Sequence, residues 1–89
     1  MKKPDFGKML KVARVKKGLS QSEVAKILRL NSSQSVSDWE RNYGSGVPLP
    51  ALKKLIKLYG MSKSEVFESL LDYQYAKLQE SLKKEFFGN

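Results

Sequence analysis

The stretch GLSQSEVAKILRLNSSQSVSDWE, residues 18 to 40, contains two helix starts separated by a short turn. Ser20-Gln21-Ser22-Glu23 has the Ser-x-x-Glu spacing in which hydroxyl and carboxylate satisfy each other's backbone N–H groups at a helix N-terminus. Leu19 stands just before the cap, where it can staple against Val24. A helix from this point to about Leu28 is therefore specified by local chemistry. A shorter helix is predicted over about 33–41: Ser32 can cap it, and Val36 and Trp39, three apart, face one side.

The other side of that short helix shows Ser33, Gln34, Ser37, Asp38 and Arg41, without bulky apolar atoms. A plain solvated face would look the same. So would a face that enters the DNA major groove, where Gln pairs with adenine, Ser bonds any base and Asp accepts from the cytosine amino group. Ser32 at the entry and Arg41, Asn42 and Tyr43 at the exit suit phosphates. The following loop, Tyr43 to Pro48, either adds such contacts or is simply mobile.

Upstream, Phe6, Met9, Leu10 and Ala13 recur at helical spacing among lysines, and Gly18 follows as a left-handed cap, predicting a first helix over about 5–17. Downstream, Pro48 and Pro50 precede the stripe Leu52, Leu55, Ile56 and Tyr59, a fourth helix ending at Gly60. Met61 and Val66 around Ser62-x-x-Glu65 repeat the earlier capping pattern. From Lys63 nothing breaks a helix until Gly88. The expectation is an all-α, five-helix domain over residues 1–71 with a helical extension over 72–89.

Leu71, Tyr75, Leu78 and Leu82 step by four, three and four, the spacing of a coiled-coil seam, with Phe86 near the next position. They form a dimerisation surface, or the helix folds back on its own domain. An interaction module is the alternative function, as in an antitoxin or adaptor subunit binding a protein partner through this helix with Tyr73, Tyr75, Phe86 and Phe87.

The composition narrows the chemistry. The 89 residues contain no cysteine and no histidine. Thiolate or imidazole metal sites, disulfides and Ser/His/Asp catalysis lack their residues, and the acids Glu23 and Glu65 are accounted for as caps. Neither an enzyme nor a cofactor or metal is expected. No apolar run approaches the roughly 20 residues of a membrane span, and MKKPDFG lacks the apolar stretch of a signal peptide, so a soluble cytoplasmic protein is expected. The net charge of +8 is uneven, with +6 in residues 1–50 and +2 in 51–89. A basic working half points to a polyanion.

Taken together, Phe6-Gly7 through Gly60-Met61 resembles the lambda-repressor/Cro-like (XRE-type) helix-turn-helix family. The matching residues are Arg14, Gly18-Leu19-Ser20-Gln21, Glu23-Val24-Ala25, Leu28, Val36-Ser37, Trp39-Glu40, and the Pro50, Leu52, Leu55, Leu58 series. The resemblance implies a transcriptional regulator, a repressor by expectation, that binds double-stranded DNA as a homodimer. It implies that Gln21 bonds a phosphate and braces the recognition helix, that Ser33, Gln34 and Ser37 lie nearest base edges, and that Arg14 and Glu40 form an internal salt bridge. Two features depart from the common pattern. The turn before the recognition helix has one extra residue, with Leu30-Asn31-Ser32-Ser33 where a glycine and a shorter turn are usual. The loop after Glu40 is also longer.

Overall fold

A computed structural model describes residues 5–88, so residues 1–4 and 89, the outer limits of the two expected segments, lie outside the described residues. The chain forms α1 (Phe6–Lys16), α2 (Gln21–Ile27), α3 (Gln34–Glu40), α4 (Leu49–Tyr59) and α5 (Lys63–Phe87). The largest fully buried side chains are Leu10, Val24, Val36, Leu55 and Val66, one from each helix. Each such burial stabilises by about 1.5–3 kcal/mol, so every helix is tied to the same small core. Phe6, Leu28, Trp39, Leu52 and Tyr59 fill the space around them.

The helix starts follow from their caps. Asp5 accepts from the Lys8 N–H at 2.7 Å and opens α1. At α2 both halves of the capping box form, Glu23 N–H to Ser20 Oγ at 3.0 Å and Ser20 N–H to the Glu23 carboxylate at 2.9 Å. The Ser20 backbone N–H first, and then the Ser20 hydroxyl, hold the Glu23 carboxyl below its usual range by hydrogen bonding. At α5 only the serine half is made, Glu65 N–H to Ser62 Oγ at 3.3 Å. The start of α3 differs from the sequence expectation. Ser33, not Ser32, holds the cap position, in helical rather than extended backbone and with no side-chain cap. Ser32 Oγ instead accepts from the Gln34 N–H at 3.2 Å.

Four helix ends share one device. After α1, Leu19 N–H bonds Arg14 C=O and Gly18 N–H bonds Val15 C=O; after α4, Met61 bonds Ile56 and Gly60 bonds Lys57. After α2, Leu30 bonds Ala25 and Arg29 bonds Lys26; after α3, Tyr43 bonds Asp38 and Asn42 bonds Trp39. This is the Schellman motif, which needs a left-handed residue at its turning point. Gly18, Arg29, Asn42 and Gly60 occupy it, with φ of 71°, 58°, 55° and 65°.

The long α5 packs only by its first half. Val66 is buried, Leu70 and Tyr73 are partly so, and the Tyr73 ring stacks on Phe6 with centroids 5.8 Å apart. Packing thus reaches two residues past the boundary expected at residue 71. Beyond Tyr73 the helix continues without turning back, and every residue from Gln74 to Gly88 is exposed. No helix among the described residues is long and apolar enough to cross a membrane.

Candidate nucleic-acid interface

The short α3 is fixed from three directions. Val36 and Trp39 anchor it in the core. Its last residue, Glu40, lies buried beneath α1 and α2, where Arg14 Nε donates to Oε2 at 2.6 Å and a second guanidinium nitrogen to Oε1 at 3.1 Å. Gln21 Nε2 donates to the same Oε1 at 3.0 Å. Arg14 also donates to the Leu19 carbonyl at 2.7 Å, tying the end of α1 into the clamp. Its guanidinium pKa is raised, first by the hydrogen bond to Glu40 and then by that charge, against the opposing cost of burial. A bidentate pair of this kind adds direction as well as energy. It sets the angle of α3 against α1 and α2.

With Val36, Trp39 and Glu40 turned inward, a helix of about 3.6 residues per turn places Gln34, Ser37, Asp38 and Arg41 on the opposite side. Gln34 and Arg41 are exposed, Ser37 and Asp38 half-buried. Three of the four are joined: Gln34 Nε2 donates to Asp38 Oδ1 at 2.8 Å, and Arg41 donates to the same oxygen at 2.7 Å. Asp38 thus orients two neighbours. Gln34 uses one amide N–H in this way, and its carbonyl oxygen and other N–H retain the acceptor and donor that adenine requires. Ser33 is half-buried at the helix start, on the flank of this face rather than at its centre. Ser32 and Gln34 are the exposed side chains of the helix entry.

The residues expected at phosphates divide into two groups. The Arg41 guanidinium lies over the Tyr43 ring, 5.4 Å from its centroid, and both side chains are exposed at the end of α3. Ser32 is exposed at the other end, and Gln21 spends one N–H on Glu40. Asn42 differs from the expectation. Its Oδ1 accepts from the Gly7 N–H at 2.9 Å and its Nδ2 donates to Asp5 at 3.1 Å, so its amide fastens the loop to the start of α1. Gly7 permits this approach, because a Cβ there would lie 2.5 Å from the Glu40 carbonyl oxygen. The sequence reading missed both the Gly7 contact and Arg29, the exposed base that turns the chain between α2 and α3.

Leu71, Tyr75, Leu78, Leu82 and Phe86 are all solvent-exposed on α5, at 42–78% of their surface. Among the described residues, no group of His, Cys, Asp or Glu is placed to hold a metal ion.

A helix-turn-helix family model matches residues 10–66, from Leu10 in α1 to Val66 at the start of α5. No curated protein and no solved structure gives a significant match. The matched span contains the capped α2, the turn, α3 and the Arg14–Glu40 clamp, and it covers more than half of the chain. The chain belongs to the lambda-repressor-like (XRE) helix-turn-helix family of DNA-binding regulators.

Proposed function

We propose that this protein is a sequence-specific transcriptional regulator of prokaryotic or phage type, a cytoplasmic repressor that binds a roughly palindromic double-stranded DNA site as a homodimer. The observation that carries this reading is the outer face of α3. Gln34, Ser37, Asp38 and Arg41 form a polar surface without apolar bulk, on a helix held rigidly by Val36, Trp39 and the Arg14–Glu40 pair. Rigid support matters because base readout depends on placing donors and acceptors to within about 0.5 Å.

In this reading α3 lies in the major groove, with Gln34, Ser37 and Asp38 over base edges and Ser33 at the rim. Ser32, Gln21, Arg41 and Tyr43 take phosphates on either side. Asn42 contributes by holding the loop that carries Tyr43. Gln34→Ala is expected to cost about 1–3 kcal/mol on the best site and to relax preference at one base pair. The measurement is binding-site selection from random DNA, repeated with the variant. An equal loss on all sequences would show that Gln34 only positions the chain.

A second reading, an antitoxin-like or adaptor module that binds another protein, draws support from the exposed apolar stripe of α5. Salt separates the two. Association through several phosphates weakens steeply between about 50 and 200 mM salt, whereas an apolar helix contact does not.

A further inference from the structure

Two grooves of opposite charge flank α5 where it leaves the core. The one between α4 and α5, about 530 Å³, has Leu49, Ile56 and Phe67 in its floor and Lys53, Lys57 and Lys63 on its rim. The other, about 620 Å³, lies between α5 and the start of α1 and is edged by Asp5, Glu65, Glu68 and Asp72. Between them runs the exposed stripe Phe67, Leu71, Tyr75, Leu78, Leu82 and Phe86. At about 100° per residue these six fall in one band of roughly 100°, turned away from the side that Val66, Leu70 and Tyr73 bury. The helix has two apolar faces, and its own domain covers only one.

The spacing of the stripe is four, four, three, four, four, which reads the same in both directions. A two-fold interface has to be self-complementary, and a palindromic stripe meets this requirement when two copies run antiparallel. We propose that α5 pairs antiparallel with α5 of a second copy, the two-fold axis passing between Tyr75 and Leu78. This deepens the dimeric reading given above and rests on it. Phe67 then lies level with the partner's Phe86, Leu71 with the partner's Leu82, and Tyr75 with the partner's Leu78. The end of each partner helix covers the lysine-rimmed groove between α4 and α5.

Charge complements this direction. Glu85 lies on the edge of the stripe that, in the partner, borders the groove rimmed by Lys53, Lys57 and Lys63. Lys83 lies towards the opposite edge, level in the antiparallel register with the partner's Leu70, beside Glu68 and Asp72. Both contacts repeat by symmetry. The antiparallel register also sets a distance. Val66 comes level with residue 87 of the partner, so the points at which the two domains join α5 are about 31 Å apart at 1.5 Å per residue. Half-sites one turn apart on DNA are separated by about 34 Å.

The chain has no cysteine, so single cysteines report the register. Leu71→Cys and Leu82→Cys are made separately on the full chain, both at exposed positions. In the proposed register each cysteine lies about 16 Å from its own copy, beyond the reach of a disulfide. Mild oxidation should leave each variant alone uncrosslinked, and an equal mixture should give a disulfide-linked dimer. Crosslinking of either variant alone, with nothing gained on mixing, would reveal a parallel pair and overturn the proposal. An uncrosslinked mixture would overturn it as well, and a wild-type chain that scatters light as a monomer would assign the stripe to a different protein. Binding-site selection with the wild-type chain tests the DNA reading separately. Paired half-sites with an uncrosslinked mixture would remove only the register, and a crosslinked mixture that selects no DNA would remove only the DNA function.

Discussion

The ends of α1 and α4 turn on glycines, Gly18 and Gly60, whereas the ends of α2 and α3 make the same turn with Arg29 and Asn42. The hydrogen bonds are equivalent at all four. The cost is not, because a left-handed conformation at a side-chain-bearing residue costs roughly 1–2 kcal/mol, less for asparagine. The two non-glycine ends stand on either side of α3. Where the chain only has to turn, it uses glycine; where it borders α3, it accepts strain and keeps a side chain. At Asn42 the use of that side chain is visible, in its bonds to Gly7 and Asp5. At Arg29 it is a cation that makes no ion pair among the described residues.

The largest expected effect comes from the residue that joins the two kinds of end. Arg14 donates to the Leu19 carbonyl just past Gly18 and to Glu40 just before Asn42. The pair is nearly dry, with side-chain exposures of 10% and 4%. Arg14→Ala strands Glu40 without its partner and should cost about 3 kcal/mol or more. For a domain of this size that lowers the melting temperature by roughly 15 °C, readable by circular dichroism. Weakened DNA binding with unchanged melting would place Arg14 on the DNA instead and separate the two kinds of helix end.

Tyr59, the last residue of α4 before its glycine, tests the other side of the comparison. Burial first, and then the Glu40 carboxylate, push its phenol up to about 12. An unfolded tyrosine ionises near pH 10. Below that pH the phenol is neutral in both states and contributes no pH dependence. Between pH 10 and about 12 the unfolded chain releases a proton that the folded chain keeps, so stability falls, by about 2 kcal/mol. Tyr59→Phe should lack this loss. Denaturant titrations of both proteins should give a stability difference that is flat to pH 10 and then moves in favour of the variant.

Much of the fold was legible because its signals are local. Ser20 and Glu23, Ser62, and the glycines after α1 and α4 act on neighbours within a few residues, and the structure places caps and turns at each. The five helices and the inward side of α3 follow from these signals together with apolar spacing. The Arg14–Glu40 pair was reached through the family resemblance, since nothing within the sequence links residues 26 apart. Contacts without a family precedent were not legible. The Asn42 amide meets the Gly7 N–H across 35 residues, and an exposed-looking Asn at a helix exit reads equally as a phosphate ligand. The entry of α3 escaped for a related reason. Ser33 takes the cap position in helical backbone without a side-chain bond, while Ser32, the expected cap, bonds the Gln34 N–H instead.

Replacing each non-glycine turning point by glycine should give opposite results. In Asn42→Gly the left-handed strain was small, and the variant loses two hydrogen bonds, one of them partly buried. A net destabilisation of about 1 kcal/mol is expected. In Arg29→Gly the relieved strain is larger and no hydrogen bond is lost, while the added freedom of glycine in the unfolded chain takes back part of the gain. A stabilisation of about 0.5–1 kcal/mol should remain. The two melting temperatures would then move in opposite directions from the same change of residue. Retention of a strained arginine beside α3 is explained if its charge meets DNA phosphate. Arg29→Gly should then bind all DNA sequences more weakly and reduce the dependence of log affinity on log salt by about one ion. If the variant is more stable and binds DNA with an unchanged salt slope, the comparison fails at this end, and Arg29 is strain without a use.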